Sequence, residues 1–278
     1  MRLLLLVMAA AALLATAQEP GPAPDAKQLA LRAAHWTARF EKNLSGLLFR
    51  EDYIQRLAKM NAPAAAARQA TLEANVFLLN LPGSRETLLY RDVYALNGKP
   101  LGDHTERLQK LLASPSRRSM EQARRLSDAS ARHNLGSVTR NINLPTMVFA
   151  YLWPRSIGKL EFTIEGTETL AGLDTTIVGF KEVRGPTLVR TDRFLDIPAQ
   201  GRFWIHAPSG TIARGYVSFP EAHVVGHMQV DLQLVEALGV WAPREMTESW
   251  TYRNEHITGV ATYSNFKKMH VSTAEAVK

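Results

Sequence analysis

From position 221 to position 234 the chain reads EAHVVGHMQVDLQL, and apolar and polar side chains alternate. Ala222, Val224, Gly226, Met228, Val230, Leu232 and Leu234 fall on one side, and Glu221, His223, Val225, His227, Gln229, Asp231 and Gln233 on the other. A two-residue period belongs to a strand, whose successive side chains point to opposite faces. A strand this long with one apolar face fits an antiparallel sheet that is covered on one side and wet on the other, and such a sheet twists and curls. The same alternation places Leu160, Phe162 and Ile164 opposite Lys159, Glu161, Thr163 and Glu165. Segments 174–183, 187–191 and 246–252 are further strand candidates, with Gly172, Gly185-Pro186 and Pro243 between neighbours. Upstream, 74–81 and 87–96 are rich in branched, leucine and aromatic residues. They form a hairpin across Pro82-Gly83-Ser84, and Asn97-Gly98 closes the next turn.

Helical spacing appears in two places. In 28–48, Leu31, His35, Phe40, Leu44 and Leu47 fall near one face, and Gly46 weakens the end. Asp103 stands three residues before Glu106, the spacing of an N-cap with its reciprocal partner, which starts a helix running to about 113. Ser116 caps the next helix, and Gly136 is placed to stop it. Segment 49–59, FREDYIQRLAK, stays open between helix and strand. The fold class that follows is α+β: a large curved antiparallel β-sheet whose apolar face is covered by N-terminal and inserted helices near 103–136.

Composition adds a compartment. Met1-Arg2, an apolar run from Leu3 to Ala15 and the small-x-small triplet Ala15-Thr16-Ala17 make 1–17 a secretory signal peptide, too short for a membrane span. Residues 18–25, QEPGPAPD, form a Pro-rich tether. The rest, 26–278, is expected to be a single domain. The chain has no cysteine, which excludes disulfides, thiolate metal sites and a cysteine nucleophile. The expected location is therefore outside the cytosol, in a bacterial periplasm, soluble after cleavage. The net charge of +7 is concentrated between Arg107 and Arg140, where eight basic residues face only Glu121 and Asp128. Arg117, Glu121, Arg124, Arg125, Asp128 and Arg132 are spaced three or four apart, as on a solvated helix face, and no aromatics interleave with them. No nucleic-acid partner is expected; a weak anionic membrane contact is the alternative use of this window.

The candidates for chemistry are sparse. His223 and His227 lack the glutamate of HExxH, and four residues of strand separate them by about 13 Å, too far for one ion. Ser209, within GRFWIHAPSGTIARGYVSF, lacks the G-x-S-x-G elbow, and Pro208-Ser209-Gly210 is turn chemistry. His206 has no obvious neighbouring acid to orient it towards Ser209 and Arg214. Glu161 and Glu165 share a strand face without further sign of a paired-carboxylate site. Phosphate-cradling glycine loops are absent. Asn43-Leu44-Ser45 is a glycosylation sequon. Neither a catalytic residue, a metal nor a cofactor is assigned.

FWIHAPSGTIARGY (203–216), GVWAPREM (239–246) and TYSNFKKMHV (262–271) resemble exported half-barrel proteins of the LolA and LolB type. RDVYALNGKPLGDHTERLQKLL, EQARRLSDASARHNLGS and INLPT are similar to exported proteins of acidobacterial type. The W-I-D-P-x-T-G pattern of the half-barrel group stands here as Trp204-Ile205-His206-Ala207-Pro208-Ser209-Gly210, without its aspartate. The resemblance implies a curved sheet closed by helices around an apolar cavity. It makes the expected function that of a soluble carrier or binding protein for a lipid, a lipoprotein acyl chain or another apolar ligand, lined by Val224, Met228, Val230, Leu232 and Leu234. Two alternatives stand beside it: an exported hydrolase assembled from dispersed residues such as His206, Asp192 and Glu221, and a protein-interaction module using the sheet surface or the basic helix.

Overall fold

The computed structural model describes residues 25–80, 87–101, 131–137, 140, 142–191, 193–220 and 224–268. Helix α1 (Ala26–Leu44) comes first, with Asp25 as its N-cap accepting a hydrogen bond from the Lys27 amide. It leads into β1 (Leu47–Lys59), β2 (Arg68–Asn80), β3 (Thr87–Leu96) and the two-residue β4 (Lys99–Pro100). A 3-10 turn (Met147–Leu152) and the short α2 (Pro154–Ile157) precede β5 (Leu160–Leu170) and β6 (Leu173–Glu182). A small hairpin, β7 (Val189–Arg190) with β8 (Asp196–Ile197), interrupts the run. Then follow β9 (Gln200–His206), β10 (Ile212–Phe219), β11 (Val224–Val235), β12 (Val240–Tyr252) and β13 (Glu255–Lys268).

Eleven strands form one sheet in the order β4-β3-β2-β1-β13-β12-β11-β10-β9-β6-β5, all neighbours antiparallel. Two meanders are thus joined where the first strand pairs with the last. Tight turns set the registers: Asn97 and Gly98 both take positive φ, the geometry of a two-residue turn whose twist matches the strands it connects.

Helix α1 contacts β2, β12, β10, β6 and β5. On a flat sheet the eight spacings from β2 to β5 would cover about 38 Å, more than a 19-residue helix about 28 Å long and 10 Å thick can span. The sheet therefore bends around the helix, and its concave face holds the core. Leu29, Ala30, Ala33, Trp36, Thr37, Phe40 and Leu44 are the buried residues of α1. Leu31 and His35, expected on that face, are exposed instead. The stripe that the curved sheet grips runs through Ala30, Ala33 and Thr37, small residues that allow close approach and that a search for large apolar side chains passes over.

Segment 49–59 is strand. Phe49, Glu51, Tyr53, Gln55 and Leu57 alternate inward and are all buried. The hairpins expected at 74–96 and the strands at 159–165, 174–183 and 246–252 are present, whereas the strand expected at 187–191 shrinks to Val189–Arg190. Helix starts at Asp103 and Ser116 and most of the basic window lie outside the described residues. The helix expected to end at Gly136 has no described helical end: 131–133 is a 3-10 turn and Gly136 sits in the bend after it, with φ +96°. Arg140, the last basic residue of that window, is 2 % exposed. Its guanidinium is buried because it neutralises a carboxylate beneath it, a partner too distant in sequence for helix spacing to reveal.

Candidate functional site

Six strands, β1, β3 and β10 to β13, build the site. On β11 the alternation turns Met228 and Val230 fully inward, with Leu232 beside them at 2 % exposure. Leu234, expected on the same face, is 41 % exposed. Opposite Asp231 and Leu232 the register of β12 slips by one residue, and Leu234 stands past that irregularity, just before the 3-10 turn Glu236–Leu238 that ends the strand. The side chain of Val224 lies outside the described residues, as does His223.

The apolar wall continues across the sheet. Val230 faces Met246 and Met246 faces Ala261, while Val217 faces Met228. Gly226 opposes Trp250, whose ring lies over it: a Cβ on Gly226 would sit 2.1 Å from Trp250 Cε3. Glycine is thus required there for space. Trp250 in turn stacks on Phe219 at 5.7 Å. Phe149 and Phe40 close from above, edge to face at 5.5 Å.

Directly opposite Met228 in register, however, stands Glu248, 3 % exposed. It is the first member of a buried polar cluster. Glu248 accepts hydrogen bonds from Trp250 Nε1 (3.0 Å), from the Tyr53 hydroxyl and from Arg140 Nε (3.3 Å). Arg140 also donates to Gln55 Oε1 (2.9 Å) and to the carbonyl of Leu135 (2.8 Å). A second ion pair lies beside the first: Arg91 Nε is 2.6 Å from Glu51 Oε2, and its Nη2 donates to Glu51 Oε1 (2.8 Å) and to the carbonyl of Asn143 (2.7 Å). Tyr263 completes it by donating to Glu51 Oε1 at 2.9 Å.

The electrostatics follow from burial. Removing the Tyr53 hydroxyl from water and placing it against Glu248 pushes its pKa well above the usual phenol range; burial and Glu51 do the same to Tyr263. Both hydroxyls therefore remain donors at any physiological pH. Burial acts against the charge on Arg91, but its neighbours, Glu51 first among them, together outweigh it and the guanidinium stays cationic. Charged groups without water are stable only when paired and hydrogen-bonded; each of these has an ion pair and at least one hydrogen bond, while Arg91 Nε and Glu51 Oε2 meet as an ion pair alone.

This cluster escaped the sequence reading, whose inward-facing residues were apolar. The signal available was the alternation of Glu51, Tyr53 and Gln55 between Phe49 and Leu57, which is strand-periodic only if the polar side chains also face in. Two of its members, Arg140 and Asn143, lie outside the strands, where strand alternation could not point to them. Gly136, at φ +96°, lies against Ile257 and Leu57.

The residues weighed for catalysis fall elsewhere. His206 Nδ1 is 2.7 Å from Ser209 Oγ, but Ser209 Oγ also donates to Thr211 Oγ1 (2.8 Å) and accepts from the Thr211 amide (3.2 Å). These contacts close the β9–β10 turn, which docks on α1 through Arg32 Nη1 and the Ala207 carbonyl at 3.1 Å. Asp192 and Glu221 lie outside the described residues. His227 is exposed on the convex face beside the Tyr216 ring, and among the described residues no group of three His, Asp or Glu side chains could hold a metal. Glu161 is exposed, and Glu165 pairs with Arg202.

No family model matches the sequence, and no curated protein does. Similar solved structures include a DUF1329 family protein from Desulfovibrio piger, with TM-score 0.42 and 11% identity, covering 92% of this chain and 96% of that one. An outer membrane lipoprotein-sorting protein domain from Vibrio parahaemolyticus has TM-score 0.38 and 9% identity, over 91% of this chain and 95% of its own. The lipoprotein LppX from Mycobacterium tuberculosis has TM-score 0.27 and 12% identity, over 85% and 94%.

Proposed function

We propose that this chain is an exported, non-catalytic binding or carrier protein for an amphiphile with an acyl chain, held on the concave face of the half-barrel. The observation that carries the reading is the lining itself. An apolar wall of Val217, Met228, Val230, Met246 and Trp250 abuts, within one residue pair, a polar cluster centred on Glu248 and Arg140. That is the division of chemistry within a lipid: a tail for the first wall, a polar group for the second. The covering layer is also of a separable kind. Helix α1 and the coil carrying Arg140 and Asn143 roof the sheet, rather than a second sheet bonded edge to edge.

In the packed state these covering side chains occupy the space a tail would take, so loading displaces part of the cover. Burying a twelve-carbon chain contributes on the order of 10 kcal/mol at about 0.8 kcal/mol per methylene, before ordering costs. That is ample to offset local repacking. Export by the N-terminal segment 1–17 would place the carrier where lipids cross an aqueous space.

Native mass spectrometry tests the reading on protein purified gently from an exporting host. A lipid or acyl species bound at near-unit occupancy is the expected result. A bare mass that persists after incubation with host membrane extract would overturn it.

A further inference from the structure

Between β6 and β9 the chain leaves the main sheet to form the β7–β8 hairpin. The base of this excursion is fixed: Glu182, 4 % exposed, accepts the Leu188 amide at 2.9 Å, and Leu188, Val189 and Ile197 pack against the core. Asp196 accepts from the Thr187 amide at 3.0 Å and ties the two arms together. The tip is the reverse of its base. Phe194 is 75 % exposed and Leu195 59 %, side by side. Scattered exposed apolar residues are ordinary on a protein surface, but adjacent large ones at the end of an anchored projection are not.

The charge around the tip is mostly basic. Arg184, Arg190 and Arg193 are exposed, and the Arg190 guanidinium lies 5.7 Å from the Phe194 ring centroid. Asp192 and Asp196 of the same stretch offset part of this charge and leave a small basic excess. Exposed apolar side chains beside Arg190 and Arg193 complement the interfacial zone of an anionic bilayer, where the rings and aliphatic chains enter the headgroup layer and the guanidiniums meet lipid phosphates. We infer that the β7–β8 hairpin is a membrane-surface contact that inserts Phe194 and Leu195 into an anionic bilayer. This is a different place from the basic window 107–140, and the inference stands independently of the carrier reading.

The test is co-sedimentation of the full chain with vesicles of phosphatidylcholine alone and of phosphatidylcholine mixed with phosphatidylglycerol. Binding to the mixed vesicles and not to the neutral ones is expected. The pair Phe194→Ser and Leu195→Ser should weaken it about tenfold. Arg190→Gln and Arg193→Gln should each weaken it about fivefold at low salt. All four positions are exposed, so an unchanged thermal midpoint confirms that the variants fold. Binding that ignores lipid charge, or that survives the Phe194 and Leu195 exchanges, overturns the inference. So does the absence of binding to either vesicle, which would leave the tip to a protein partner.

Discussion

Arg140 illustrates how one residue can hold a covering segment to the sheet. Its side chain bridges Glu248 and Gln55 with no access to water, and truncation leaves Glu248 buried beside a lost partner. Arg140→Met should cost about 3–5 kcal/mol in urea unfolding, the penalty of an uncompensated buried charge. Glu41 is the opposite case. Burial raises its carboxyl above the usual range, against the hydrogen bond from Trp153 Nε1 (2.7 Å) and the charge of Arg155. A folded-state pKa above the unfolded one contributes stability below the unfolded value, and that contribution is lost as pH rises through the folded value. Ionised Glu41 is therefore a burden at neutral pH. Glu41→Gln keeps the acceptor for Trp153 and should raise the melting temperature at neutral pH, with the gap closing as the pH falls through the carboxylate range. A gap constant with pH would contradict this. Neither residue's role is legible in the sequence. Arg140 sits among surface-type basic residues, and the partner that changes its meaning is 108 positions away.

At the scale of the element, β1 and α1 show why pattern reading succeeds in one place and stalls in another. The alternation of β11 was visible because its inward residues are apolar; that of β1 was hidden because Glu51 and Gln55 also face inward, satisfied by Arg91, Tyr263 and Arg140. Helix α1 was legible in position but not in rotation, since its contact stripe is made of small residues as well as Trp36 and Phe40. Trp36 stacks on Phe40 at 5.0 Å, and Trp36→Ala should cost about 3–5 kcal/mol in the same denaturation measurement. On β11, Gly226→Ala should cost about 1–3 kcal/mol, because the Trp250 ring already fills the position of the new methyl group. A neutral Gly226→Ala would show that Trp250 moves freely, which would weaken the case for a shaped apolar wall.

The whole molecule is closed by the pairing of its first strand with its last, and by contacts such as that of Tyr263 with Glu51, 212 residues apart. So much non-local pairing predicts slow refolding, in the range of milliseconds to seconds, and hydrogen exchange slowest in β1, β13 and β12, at the centre of the sheet. Stopped-flow refolding and exchange measurements check both; protection centred on the β5 edge would contradict the second. The sequence by itself determined the strand-rich architecture, most of the hairpins, the position of α1 and the inward face of β11, because each rests on local periodicity or on turn residues that act over a few positions. Only the tertiary structure decided that β1 is a strand, that Arg140 is buried, that Leu234 is exposed and that a polar cluster borders the apolar wall. Those outcomes depend on which distant side chains meet, and a charge or a glutamine facing inward is stable only when a partner from far along the chain is there to satisfy it.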